Sequence, residues 1–267
     1  MSRFGLPPAL EELVIDAGEI GYLLWTKGWC EGAAGNLSIA VPDPGVAPIG
    51  PSRALTTPVP ALEGRCFIVS ASTRRFRDIA RAPLSVLGVV RVIDGGRSCE
   101  PLLGFASGGR PTSELPAHLA VHARRLELGK PIRAVLHAHA THLIALSFVD
   151  RFRRDPELLT GILYRMHTEA YQGLPRGVGF IGFRVPGGDE LADDAATVLA
   201  GHDLALWSHH GVVSVGDTLA DAMDLMEYGD KAAQLFLLIT QRNEGGAWLS
   251  SQDLRELKDA YKRATGA

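Results

Sequence analysis

Cysteine is scarce in this chain. Cys30, Cys66 and Cys99 are the only three among 267 residues, an odd number at wide spacing with no CxxC pair. That excludes a disulfide framework and favours a reducing compartment in which the thiols serve packing. No apolar run approaches the roughly 20 residues that span a bilayer, and the opening MSRFGLPPALEEL lacks the apolar centre of a signal peptide. The expectation is a soluble, cytoplasmic protein. Basic charge is not in excess either. The chain has 27 Lys and Arg against 30 Asp and Glu, a net charge of −3, so it offers no electrostatic footprint for nucleic acid. Arg74, Arg75 and Arg77 form one short basic cluster that reads equally as a solvated loop or an anion contact. A GxGxxG turn after a first strand and a P-loop are both missing, which removes most support for nucleotide binding.

What is present is an ordinary globular composition, 46% hydrophobic and 21% charged, long enough to bury a large core. Residues 8 to 28 place apolar side chains three and four apart and end in glycine, which predicts an amphipathic helix. A strand follows at about 37 to 41, then a proline- and glycine-dense loop from 42 to 64. CFIVS reads as a strand, and LGVVRVI, the turn Asp94-Gly95-Gly96 and SCEPLLG read as a hairpin. PTSELPAHLAVHARRLEL takes helical period, RAVLHAH is a strand, and helices are expected over ATHLIALSFV and 156 to 167. FIGFRVP reads as a strand, ELADDAATVLAG as a helix and LALWSHHG as a further strand. A long amphipathic helix from Asp217 and a last helix at 252 to 263 complete the chain. No internal repeat appears. Hairpins and helical crossovers intermix over residues 1–267, which predicts one α/β domain built on a mixed sheet, not a doubly wound parallel one.

Three stretches carry chemistry. In HAHATH, His137 and His139 are two apart on a strand and therefore project to one face, where imidazole nitrogens suit zinc or a similar divalent ion. HxH alone reads equally well as two rings bonded to backbone. In WSHHG a second apolar strand ends in histidine. If both strands end at one sheet edge, His209 or His210 completes three ligands and leaves a position open, as a catalytic metal requires. His142, three positions beyond His139, reads as a capping or supporting residue. In PTSELPAH, Thr112 and Ser113 suit a helix N-cap with Glu114 in the first turn; the free N–H groups there favour an anion, and a carboxylate beside a metal suits proton abstraction from carbon. A plain helix start is the competing reading.

The succession GNLS, PTSELPAH, HAHATHLIAL, VPGGDE and WSHHGV, from about Trp25 to Gln234, resembles the class II aldolase/adducin family. The resemblance implies a three-layer α/β/α sandwich around a largely antiparallel sheet, in a homotetramer with active sites at subunit interfaces. It implies one Zn2+ per subunit on His137, His139 and His210, thereby choosing His210. It implies Glu114 as the catalytic carboxylate and Glu169 as an acid reaching into a neighbouring subunit's site. On local pattern alone Glu169 is a surface residue. It implies phosphate contacts from Gly35, Asn36, Ser72, Thr112 and Ser113. The implied reaction is reversible cleavage of L-rhamnulose 1-phosphate to dihydroxyacetone phosphate and L-lactaldehyde. Another ketose phosphate, such as fuculose or ribulose phosphate, is a rival within the family, and a non-catalytic adducin-like interaction module is a rival of another kind. The family pattern carries asparagine where this chain has Ala33 and glycine where it has Thr73, which bears on how tightly a phosphate is held.

Overall fold

The computed structural model describes residues 4–241 and 248–265. In chain order the described elements are α1 (Pro8–Thr26), β1 (Asn36–Val41), β2 (Arg53–Ala54), β3 (Cys66–Ser70), α2 (Pro83–Val86), β4 (Leu87–Ile93), β5 (Ser98–Gly104), α3 (Leu115–Glu127) and β6 (Ala134–Ala138). They continue with α4 (Thr141–Leu146), α5 (Asp150–Arg154), α6 (Pro156–Leu163), α7 (Thr168–Gly173), β7 (Val178–Ile181), α8 (Asp189–Gly201), β8 (Leu204–Trp207), β9 (Gly211–Gly216), α9 (Leu219–Thr240) and α10 (Ser251–Thr265).

The strands form one nine-stranded sheet in the order β2-β5-β4-β3-β1-β6-β9-β8-β7. Every neighbouring pair is antiparallel except β7 and β8. The mixed, largely antiparallel sheet expected from sequence is therefore the one observed. Its two faces follow from strand alternation. Ala134, Leu136 and Ala138 of β6 join Leu37, Ile39, Leu204, Leu206 and Val212 in a core covered by α1, α4, α6 and α9. Val135, Ala205, Trp207, Val213 and Val215 face the opposite side, under α3 and α8. Because the central strands are covered on both faces, they read as continuous apolar runs, and any polar side chain among them stands out.

Several elements differ from the sequence reading. The stretch read as one strand ending in histidines is a hairpin: β8 stops at Trp207, residues 208–210 turn, and β9 runs back beside β6. The turn carries His209 at φ 62°, a left-handed conformation usually signalled by glycine or asparagine. The strand read over 180 to 186 lies at Val178–Ile181, the last strand of the sheet. Beyond it Phe183 and Val185 are exposed, so their hydrophobicity does not mark a buried strand. The short helices α5 and α7 and the two-residue β2 have too few residues for a periodic signal. The hairpin between β4 and β5 turns through Asp94, Gly95 and Gly96, all at positive φ, as read from sequence. No helix among the described residues is long and apolar enough to cross a membrane.

Candidate active site at the ends of the central strands

β6 and β9 are neighbours in the interior of the sheet, not at its edge, and the candidate site lies across their adjoining ends. His137 is the fourth residue of β6 and faces the α3 side. Its Nδ1–H donates to the Val212 carbonyl on β9 at 2.9 Å, which leaves Nε2 with a free lone pair. The Trp207 indole stacks on its ring, with centroids 4.6 Å apart. His139 lies one residue beyond the strand. Its backbone N–H donates to the Trp29 carbonyl at 2.8 Å and its Nδ1–H to Glu31 Oε1 at 2.8 Å, so its Nε2 is free as well. His210 closes the β8–β9 turn, its N–H bonded to the Trp207 carbonyl at 3.1 Å. His209 points elsewhere, exposed against Phe148 and bonded to Ser208. The turn, not strand alternation, separates the two histidines.

His137, His139 and His210 each present a ligand atom within 4.8 Å of the others and could hold a metal ion. Gly211 makes this approach possible: a Cβ there would lie 2.6 Å from the Ala138 carbonyl and 2.7 Å from the His137 ring. Burial, and then the neighbouring His139, push the His137 imidazole down to about 3, and burial with His137 pushes His210 down to about 4. Both rings are therefore neutral at pH 7 with lone pairs available for an ion. Glu114 completes the cluster. It is 4% exposed, with Oε1 3.4 Å from His210 Nε2 and Oε2 3.6 Å from His137 Nε2. The three imidazoles fit a zinc-type ion in donor chemistry, and the Glu114 carboxylate stands beside the position they would share.

The helix start differs from the expected one. Glu114 itself occupies the N-cap position of α3, and its side chain turns to Asn36 and the histidines without capping the helix. Thr112 Oγ1 instead accepts the Glu114 N–H at 3.3 Å. The segments that carry Asn36, Ser72 and Thr112 lie side by side. Ser72 N–H donates to the Arg110 carbonyl, Thr112 N–H to the Ser70 carbonyl, and Leu37 N–H, next to Asn36, to Ser70 Oγ. Ser113 is exposed, Ser72 half-buried, and Gly35 turns at φ 83°. Thr73 sits at φ 62°, the conformation a glycine adopts without strain. Arg77 lies over the Trp25 ring, a stacking role for one of the three clustered arginines.

Glu169 is not brought to the histidines within this chain. It lies exposed at the start of α7, bonded to Thr168 and His167, and the Thr168 hydroxyl holds its carboxyl below the usual range. It lines a cavity of about 490 Å³ together with Trp29, His142, His167, Tyr228 and Asp230. His142 is held by Asp230, which accepts from its backbone N–H and from Nδ1–H and so caps α4. Glu31 is the residue that sequence pattern did not single out. Burial raises its carboxyl, but the bond to His139, its own backbone N–H and the charges of His139 and His137 together outweigh this and hold it below the usual range.

The profile of the family described as Class II Aldolase and Adducin N-terminal domain matches residues 16–237. The chain belongs to the class II aldolase and adducin family. Among its relatives, the rhamnulose-1-phosphate aldolase of Mannheimia succiniciproducens is 37% identical over 248 residues, 90% of each chain. The rhamnulose-1-phosphate aldolase of Escherichia coli is 38% identical over 222 residues, 80% of each chain. Among solved structures, the sugar-phosphate aldolase of Thermotoga maritima superimposes with a TM-score of 0.78 at 27% identity, covering 89% of this chain and 99% of that one. The L-fuculose-1-phosphate aldolase of Thermus thermophilus has the same fold, with a TM-score of 0.59 at 20% identity, over 88% of this chain and 99% of that one. These relatives place the chain on the aldolase side of the family, among the lyases.

Proposed function

We propose that this class II aldolase is zinc-dependent and cleaves L-rhamnulose 1-phosphate reversibly to dihydroxyacetone phosphate and L-lactaldehyde. The observation that carries the reading is the buried Glu114 carboxylate set 3.4 and 3.6 Å from two of three histidines able to share an ion. The names of the relatives support the choice of ketose. His137, His139 and His210 would hold the zinc, which when bound supplies a Lewis acid that polarises the ketose oxygens and offsets the negative charge left by cleavage. Glu114 holds and returns the proton at the nucleophilic carbon. Gly35, Asn36, Ser72, Thr112 and Ser113 hold the phosphate through side-chain and backbone donors. Ala33 cannot supply the side-chain amide of the family pattern, and a hydrogen bond to a charged group is worth about 1.5–3 kcal/mol, so phosphate affinity is correspondingly lower.

Glu169 serves the aldehyde end from a neighbouring subunit, in keeping with its exposure beside an open cavity. A homotetramer of this single domain, residues 1–267, is part of the same proposal. Exposed Tyr22, Leu23 and Trp25 on α1 supply apolar surface for subunit contact. Three buried free cysteines accord with the reducing cytoplasm.

The test is cleavage of L-rhamnulose 1-phosphate, L-fuculose 1-phosphate and unphosphorylated L-rhamnulose, with and without chelator, alongside metal analysis of the purified protein. Chelator-sensitive cleavage that is fastest on the first substrate is expected. Preference for the second transfers the reading to a fuculose-type enzyme. A protein that binds no zinc and cleaves none of the three is a non-catalytic module.

A further inference from the structure

Behind Glu114 a chain of polar side chains runs into the interface between β1 and α3. Asn36 and Ser38 are two apart on β1 and share a face; His118 and His122 are four apart on α3 and share a face. The two periods mesh into a zigzag. Asn36 Nδ2 donates to Glu114 Oε2 at 2.7 Å, and Asn36 Oδ1 meets His118 Nε2 at 2.5 Å. His118 Nδ1 meets Ser38 Oγ at 2.9 Å, and Ser38 Oγ meets His122 Nε2 at 2.9 Å. All four are buried, between 0% and 8% exposed. Apolar side chains fill the rest of this layer and would pack here at less risk, since each buried polar group left unpaired costs about 1–3 kcal/mol.

Proton counting gives the chain a direction. An ionised Glu114 only accepts, so Asn36 must turn its NH2 toward the carboxylate and its carbonyl toward His118. That carbonyl only accepts, so His118 carries its proton on Nε2. Burial holds the ring well below the usual histidine range, so it is neutral and Nδ1 is a lone pair. The Ser38 hydroxyl then gives its single proton to Nδ1 and can only accept from His122 Nε2–H, so the other nitrogen of this neutral ring has no proton to give the Ile132 carbonyl beside it. An amide free to rotate would present its oxygen to Glu114 in half its orientations and repel the base.

We propose that His118 is a positioning residue that, backed by Ser38 and His122, locks the Asn36 amide so that it donates to Glu114 and holds the ionised carboxylate aimed between His137 and His210. This rests on the assignment of Glu114 as the proton-handling group. Two replacements separate the ends of the ring: His118→Gln keeps a donor near the Nε2 position, whereas His118→Asn keeps only the Nδ1 side. His118→Asn is expected to lower kcat by about 10- to 100-fold with bound metal unchanged, the scale of loss for a misplaced catalytic group. His118→Gln is expected to restore most of kcat. In an Asn36→Ala background, His118→Asn is expected to have no further effect, because His118 acts through Asn36. Equal kcat for the two folded His118 variants, or additive losses in the cycle, overturns the proposal. Nitrogen-15 NMR of the metal-loaded wild type decides it without turnover: the neutral Nε2–H tautomer of His118 near neutral pH is expected, and the Nδ1–H tautomer or an imidazolium overturns it. A wild-type protein that shows the expected tautomer yet cleaves no ketose removes the aldolase reading and leaves the hydrogen-bond chain standing.

Discussion

Glu31 is the most informative residue to change. Of the three histidines that can share an ion, His137 is oriented by a backbone carbonyl that no substitution removes, whereas His139 is oriented by the Glu31 side chain at 2.8 Å. Removing that acceptor frees the His139 ring to rotate and lowers the electron density on its Nε2. Loss of such an outer partner typically costs about 10- to 100-fold in metal affinity. The Glu31 side chain is 66% exposed, so solvent screens its charge and the effect belongs near the lower figure, about tenfold or roughly 1.4 kcal/mol. Glu31→Gln retains an oxygen that can accept from Nδ1–H and should lose less than Glu31→Ala. The assay is zinc titration against a competing chelator of known affinity, with circular dichroism to confirm the fold. A Glu31→Ala protein that binds zinc as tightly as the wild type would refute the reasoning, because His139 would then be held by the chain alone.

Four further outcomes follow from the same geometry. Glu114→Gln should retain zinc by elemental analysis while losing most turnover, about 10²- to 10⁴-fold for a lost acid–base group; normal cleavage would remove its assigned role. Gly211→Ala should abolish metal binding in a chain whose sheet still forms, since its Cβ would press on the His137 ring and the Ala138 carbonyl; a native metal content would contradict this. Thr73→Gly should raise thermal stability by about 1 kcal/mol through relief of the left-handed threonine, with any strengthening of phosphate binding read separately as a lower KM. Acid should destabilise the protein through His122, which burial holds down at about 3 in the folded state against 6.5 when exposed. Protons then bind the unfolded chain first, so the His122 contribution is complete above about pH 6.5 and falls by roughly 1.4 kcal/mol per pH unit below it, about 3 kcal/mol at pH 4.5. His118, His137 and His210, also held down by burial, add slopes of the same sign, so urea titrations across that range should show a steeper fall that His122→Gln reduces by its own share.

The sheet and its covering helices were legible because the long helices and the apolar strands carry unmistakable periods. The histidine pair was legible for a partly different reason from the one that places it. His137 obeys strand alternation, but His139 is past the strand and is aimed by the Trp29 carbonyl and Glu31. His210 was legible as a residue, not as a conformation: SHHG lacks an Asn-Gly signal, and a left-handed His209 is held there by the hydroxyl of Ser147, the residue after α4. Glu31 escaped because an exposed glutamate in a small-residue loop has no local mark, and its partner lies 108 residues away. The same holds for the partnership of His118 with Asn36, which exists only once a helix of period four lies across a strand of period two.

The register of the central strands has a kinetic consequence. Asn36 stands opposite His137, and His137 opposite Val213, so the three strands that frame the site are neighbours in space and far apart along the chain. Closing such distant pairings is costly in entropy and comes late in folding. An ion held by His137, His139 and His210 would find no preformed seat on an incompletely zipped sheet. It would therefore leave the rate of folding nearly untouched and act on the reverse step, slowing the escape of an already assembled molecule.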